Sequence, residues 1–363
     1  MIAAMQLPPA LSFLVDEAGG VTAADALLAG LGARLVADGL PLAGGALTQA
    51  AAHPIIARQT WLWRADTGKV IEALGFELAT SVTQRSADLG RDWLAGLGTG
   101  VLSEDIVGAG PDAAVFGWAA TRPFGDIELE LLREVARFAA APLAVLAARS
   151  TLAVLLETYL GRRSAAQVLA GRLRREPGET IRAALLYADL RGFTELSESA
   201  APQDVIEVLD AWFDRIAGAV HAFGGEVLKF IGDGILAIFP IGERDAAAAC
   251  EAALRAAMAA RAGMDHFDRI RAAEGHPPLQ FGTALHVGEM LWGNIGTADR
   301  LDFTAIGRAV NRVSRLEGLC RPLGRSMLAS AEFAAKTTRP LVPLGEHRLR
   351  GIAAPCAVYA LDE

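Results

Sequence analysis

The chain has 363 residues, 52% of them hydrophobic and 21% charged, and a formal net charge of −8. Those values describe a globular chain long enough for two domains with sizeable cores. The acidic balance excludes a mainly electrostatic partnership with nucleic acid, but it leaves room for a local basic cluster that grips phosphate. In chain order, Met1–Gly20 lacks the basic start and apolar stretch of a secretory leader. Residues 22–38, TAADALLAGLGARLVAD, carry Leu27, Leu28, Leu31, Leu35 and Val36 at helical spacing. In RQTWLWRADTGKV, Trp61 and Trp63 share one side of a strand that ends in an Asp-Thr-Gly-Lys turn. AAVFGWAATR (113–122) predicts a further strand, and DIELELLREVARFAAAPLAVLAAR (126–149) a long helix with an apolar face.

Helix, strands and closing helix over residues 1–149 resemble an α/β GAF-type sensory domain, most closely in RPFGDIELELLREVA. No ligand motif accompanies the resemblance, so the signal this domain would sense is unknown. Trp61, Trp63 and Trp118 could line a pocket, although packing of a core is the more economical role for such rings. The longest apolar run, FAAAPLAVLAA, is too short to span a bilayer and contains Pro142, so no membrane span is expected. Cys250, Cys320 and Cys356 are scattered, with no Cys-x-x-Cys pair; they suit a reducing compartment and offer no metal framework. A cytoplasmic protein is expected.

Residues 150–180 read as a helical linker, broken near Gly161 and ended by Pro177. Leu152, Leu155, Leu156, Tyr159 and Leu160 form a narrow stripe of the kind found where two copies of a helix pair. Arg162, Arg163, Arg172, Arg174 and Arg175 make the segment basic, as a solvated helix face would be.

Residues 181–239 hold the chemistry. IRAALLYADL is an apolar run closed by Asp189 and the turn RGFT, which reads as a buried strand. A helix follows, begun by Pro202, stopped by Gly224, and lined by Val205, Leu209, Trp212, Phe213, Ile216, Val220 and Phe223. EVLKFI and ILAIF then flank Gly232-Asp233-Gly234, a hairpin signal. If the first strand lies beside the hairpin, Asp189 and Asp233 meet at one end of the sheet. Each aspartate alone could be a strand cap or a turn residue. Together they suit Mg²⁺, a hard cation that takes one or two carboxylates plus substrate phosphates. Further on, 243–275 reads as an alanine-rich helix, and LQFGTALHVGEMLWGNIG as two strands around a Val287-Gly288-Glu289 turn. His286 is read as a packed, hydrogen-bonded residue. RLDFTAI is a strand and RAVNRVSRLEGLC a helix; a strand, a short helix and a final hairpin complete the chain. This order predicts an α+β sandwich of the ferredoxin-like kind (βαββαβ).

ADLRGFT, GGEVLKFIGDG and DFTAIGRAVNRVSRLEG resemble, in order and spacing, the three signature blocks of the class III adenylyl/guanylyl cyclase catalytic domain, over residues 181–363. The resemblance implies a homodimer that converts ATP into 3′,5′-cyclic AMP and pyrophosphate, with sites at the subunit interface. Two ions per site, Mg²⁺ or Mn²⁺, would be held by Asp189, Asp233 and the Leu190 carbonyl. Backbone N–H groups of Gly192, Phe193 and Thr194 would cradle phosphate. Asn311 would orient the ribose and Arg315 would stabilise charge at the α-phosphate. Arg350 stands where the family usually has a lysine for the terminal phosphates, and Arg348 could serve instead. Lys229 only donates hydrogen bonds, so it favours adenine N1 over the guanine N1–H. Thr304 can accept from the 6-amino group, where many adenylyl cyclases carry aspartate. A threonine there occurs in the branch that includes bicarbonate-responsive cyclases. The alternatives are a guanylate cyclase and a nucleotide-binding regulator without turnover.

Overall fold

A computed structural model describes residues 7–51, 56–76, 83–97, 100–110, 113–172, 174, 178–242, 245–297 and 299–361. Met1–Gln6, Arg175, Pro177, Glu243 and Arg244, which figure in the expectations above, lie outside the described residues. The chain divides into two units, Met1–Ala165 and Ala166–Glu363.

In the first unit, alternation of apolar side chains builds an antiparallel sheet. Its strands are β1 (Leu42–Ala50), β2 (Ile56–Arg64), β3 (Val70–Phe76), β4 (Val101–Val107) and β5 (Ala114–Ala120), in the order β3-β2-β1-β5-β4. Around it lie α1 (Pro9–Ser12), α2 (Ala24–Ala37), α3 (Thr83–Ala95) and α4 (Asp126–Leu160). Leu27, Leu31 and Leu35 of α2 and Leu132, Val135 and Leu143 of α4 share one buried core with Trp61, Trp63, Phe116 and Trp118. The tryptophans are therefore core residues. Two glycines make room for them: a Cβ at Gly45 would lie 2.5 Å from Trp118, and one at Gly32 would lie 2.7 Å from Trp63. Leu94 of α3 packs on the opposite face with Ala46, Leu62 and Ala119.

Helix α4 opens with Glu128 Oε2 accepting from the Gly125 N–H at 2.7 Å, beside an acidic first turn that suits the helix dipole. It runs through Pro142 without a break and stops at Gly161, whose φ of 79° is left-handed. By length and composition it could cross a membrane, so the expected absence of a span finds no support. Its first half nonetheless supplies core to the sheet. The expected linker helix continues as α5 (Arg162–Leu169) and ends earlier than predicted, before Gly171 with φ 83°.

The second unit contains β6 (Glu179–Leu190), α6 (Phe193–Ser199), α7 (Pro202–Ala222), β7 (Glu226–Ile231), β8 (Gly234–Pro240), α8 (Ala246–Ala273) and β9 (Phe281–Gly296). After them come β10 (Leu301–Ile306), α9 (Arg308–Glu317), β11 (Met327–Ser330), α10 (Ala331–Ala334), β12 (Leu341–His347) and β13 (Cys356–Leu361). The sheet runs β12-β13-β11-β9-β6-β8-β7, with β10 paired to β9. Helices α7 and α8 bury Trp212, Ile216, Val220, Ala253 and Ala257 on one face. Helix α9 buries Ala309, Val313 and Leu316 on the other, against Leu185, Tyr187 and Leu236.

Two local expectations change. The Val287-Gly288-Glu289 turn does not exist: β9 is one strand of 16 residues. It stays extended because β6 pairs with it from Leu190↔Phe281 to Glu179↔Trp292, so the glycine lies inside a ladder. The stretch after RGFT is helical, forming α6.

Candidate active site

Asp189 is the penultimate residue of β6, the strand held between β8 and β9. Its neighbour Ala188 pairs with Ile235, and Ile231 pairs with Gly234 across the Gly232-Asp233 turn. This register carries Asp233 to the tip where Asp189 ends. Gly232 turns the chain with a left-handed φ of 62°, and Trp212 Nε1 donates to the Asp233 carbonyl at 2.9 Å. The turn is thereby pinned to α7.

The two carboxyl groups are within hydrogen-bonding reach of each other. Burial, then the charge of Asp233, then that of Glu317 push the Asp189 carboxyl up to about 7. Two carboxylates so close cannot both ionise cheaply without a cation. The donor set, all oxygen and at the exposed end of a sheet, fits a hard divalent ion. Leu190, the third expected ligand, closes β6, and its N–H supports the Asp189 carboxylate.

Several residues at this tip were not singled out from the sequence. Glu317, the last residue of α9, lies over Gly282, the register partner of Asp189. Burial and Asp233 raise its carboxyl, while Arg191 opposes the shift. Arg191 also donates to the Arg325 carbonyl. Tyr187 packs its hydroxyl on Gly234, and burial, followed by the charges of Asp189, Glu317 and Asp233, pushes the phenol up to about 12. Glu317 lies inside the quoted RLEG block; its burial could not be read there.

Gly192, Phe193 and Thr194 form the entry to α6. Gly192 is left-handed at φ 75° and a Cβ there would meet nothing within 4 Å, so it serves the turn and not packing. The first N–H groups of a helix have no acceptor within the helix and are available to an anion.

Lys229 ion-pairs with Asp302 of β10. Thr304 is two residues beyond Asp302, hence on the same face of the strand. Phe303, on the other face, stacks on Trp292 with centroids 5.0 Å apart and planes at 20°. Asp302 was not recognised from the sequence, because its partner is 73 residues away.

Asn311 and Arg315 lie one turn apart on α9, exposed and half-buried respectively. The Arg315 guanidinium rests on Gly351, where a Cβ would lie 2.9 Å from Nη1. Gly351 belongs to a turn closed by the Ile352 N–H on the Leu349 carbonyl at 3.0 Å, and Leu349 is buried. Arg350, exposed, directly precedes Gly351; Arg348 is exposed just before the turn. Among the described residues no hydrogen bond or ion pair joins Asn311, Arg315 or Arg350 to Asp189 or Asp233.

Behind α9, a cavity of about 200 Å³ is lined by Arg312, Leu316, Ser330, Glu332 and Cys356, none a predicted site residue. Arg312 pairs with Glu332. His286, 4% exposed, hydrogen-bonds Ser330 Oγ at 2.8 Å, a packed histidine as expected.

Comparison with known proteins accords with this arrangement. Residues 176–338 match the adenylate and guanylate cyclase catalytic domain family. The chain is thus similar to this family over residues 176–338, a little under half of its length. Adenylate cyclase 1 of Rhizobium meliloti (strain 1021) is 32% identical over 176 residues, 48% of this chain and 26% of that protein. Adenylate cyclase 2 of the same organism is 31% identical over 212 residues, 56% of this chain and 55% of that protein. The chain thus spans about half or less of the length of these relatives. A bacterial light-regulated adenylyl cyclase shares the fold, at a TM-score of 0.54 and 17% identity, over 88% of this chain and 93% of that one.

Proposed function

We propose that the chain is an adenylate cyclase, turning ATP into 3′,5′-cyclic AMP and pyrophosphate in a cytoplasmic homodimer. The observation that carries this reading is the meeting of Asp189 and Asp233, with the Asp189 carboxyl held near 7. Mg²⁺ or Mn²⁺, two per site, would be held by Asp189, Asp233 and the carbonyl of Leu190. Such ions lower the pKa of the attacking 3′-hydroxyl and neutralise phosphate charge.

The chain's own groups supply binding and position. Gly192, Phe193 and Thr194 offer N–H groups to the phosphates. Asn311 orients the ribose. Arg315 donates to the α-phosphate as the 3′-oxygen bonds to phosphorus and the bond to pyrophosphate breaks, and loss of such a donor costs about 10²- to 10³-fold in rate. Arg350, next in the chain to the Gly351 on which Arg315 rests, grips the terminal phosphates. Lys229, held by Asp302, donates to adenine N1, and Thr304 accepts from the 6-amino group.

The resemblance to cyclases implies a site completed by a second copy, with the metal aspartates from one chain and the base, ribose and phosphate groups from the other. A two-fold homodimer supplies two such sites. We read the split βαβ order of β9-β6-β8-β7 as the ferredoxin-like core of this domain, and the first unit as a GAF-like sensor that regulates it.

Incubation with ATP and Mn²⁺ or Mg²⁺ tests the activity; no cyclic AMP above an Asp189→Ala control would refute it. A parallel assay with GTP decides the base. Mixing Asp189→Ala with Arg315→Ala chains, each inactive alone, should restore about a quarter of full activity, one intact site in half of the dimers.

A further inference from the structure

The cavity behind α9 lies within the second unit, and none of the residues assigned above to metal or nucleotide lines it. Arg312 and Leu316, one turn apart on α9, form one wall of its roughly 200 Å³. Leu349 and Ile352 add apolar surface, and Cys356 joins the lining from the start of β13. Space for about six waters is too little for a nucleotide and enough for a single substituted ring.

The polar part of the wall is an ion pair. Arg312 Nη1 donates to Glu332 Oε1, and the two side chains are 31% and 48% exposed. A guanidinium has five N–H donors and a carboxylate about four acceptor positions, so the pair keeps donors and acceptors for a further partner. His286, behind Ser330, adds no charge near neutral pH, because burial holds its imidazole down to about 4. An anion entering the cavity would have to take Arg312 from Glu332, and a cation would have to take Glu332 from Arg312. Either exchange leaves one member of a half-buried pair without its partner. An uncharged molecule with a carbonyl beside an N–H meets both groups and leaves the pair intact.

We infer that this cavity is a binding site for a small uncharged heterocycle of the lactam type, its carbonyl on Arg312, its N–H on Glu332 and its ring against Leu316, Leu349 and Ile352. Its place gives occupancy a consequence. The loop that carries Leu349 and Ile352 also carries Gly351, on which the Arg315 guanidinium rests, with Nη1 2.9 Å from where a Cβ would stand. A ring seated between α9 and this loop bears on Arg315. That consequence rests on the role proposed above for Arg315, whereas the binding does not.

Cys356 reports binding directly, since Cys250 and Cys320 are buried. The probe is 2-pyridone at about 50 mM, above the millimolar range that ligands of this size commonly reach. In the full-length chain it should slow reaction of Cys356 with an aromatic disulfide reagent at least about threefold, as occupancy of the cavity requires. N-methyl-2-pyridone, which lacks the N–H, and benzoate, which carries a charge, should not protect. Arg312→Met should lose the protection while its melting midpoint shows that it folds; the comparison of the two pyridones in the parent chain needs no variant. Cyclic AMP formation should change at least about twofold with 2-pyridone in the parent and not in Arg312→Met. Equal protection by both pyridones, protection that survives Arg312→Met, or no protection would overturn the site. Selective protection with an unaltered rate would overturn the link to Arg315. Selective protection in a chain without turnover would refute the cyclase reading alone.

Discussion

Glu317 sets its Oε1 so close over Gly282 that a Cβ at that glycine would lie 2.1 Å away. Gly282 pairs with Asp189 in the β6–β9 ladder, so a third carboxylate stands under the two that converge at the sheet end. The charges of Asp233 and Glu317 both raise the Asp189 carboxyl, and Arg191 opposes the rise at Glu317.

Gly282→Ala should therefore destabilise the second unit by about 1–3 kcal/mol, the usual cost of overpacking. Thermal unfolding should show a lower midpoint, and Glu317→Ala should remove most of that loss. Additive effects of the two substitutions would mean that the carboxylate and the glycine do not meet.

The Asp189 carboxyl titrates near 7 in the folded chain against an ordinary 3.8. The native state holds this proton more tightly than the unfolded chain does. Its contribution to stability is thus full below pH 3.8 and is lost as pH rises through 7. Metal-free protein should show this component of stability falling between pH 4 and 7. Mn²⁺ needs the deprotonated carboxylate, so it should raise the melting midpoint more at pH 8 than at pH 6. Equal stabilisation by Mn²⁺ at both values would count against the assignment.

Lys229 is held by Asp302, which lies on the same face of β10 as Thr304. Lys229→Glu should lower cyclic AMP formation about 10²-fold and raise the GTP-to-ATP ratio. Asp302→Ala should raise the KM for ATP more than it lowers kcat, because it loosens the lysine without removing it. Steady-state kinetics on both nucleotides separate these effects.

Burial holds the His286 imidazole down at about 4, against 6.5 when free; Arg312 adds to the shift and Glu332 opposes it. A depressed histidine contributes stability that is present above pH 6.5 and is lost as pH falls toward 4. Unfolding monitored across that window should be steeper in the parent than in His286→Gln, which removes the titrating ring.

Much of this was legible in the linear pattern. The run ending in Asp189, the amphipathic helix after Pro202 and the Gly-Asp-Gly hairpin are local devices, each written in the period or turn chemistry of a few residues. Three linked blocks also pointed to the cyclase family that residues 176–338 match. The turn expected at Gly288 was misread because local glycine signals yield to a ladder paired along its whole length.

Sequence alone determined the order of elements and the residue types available for phosphate and metal chemistry, since both follow from side-chain identity and short-range spacing. Only tertiary structure decided that Asp302 holds Lys229, that Glu317 lies beneath the aspartates, and that Arg312 meets Glu332 beside a cavity. Those relations join residues far apart in the chain or depend on which face of a helix the sheet has already covered. Neither partner carries any local mark of the other.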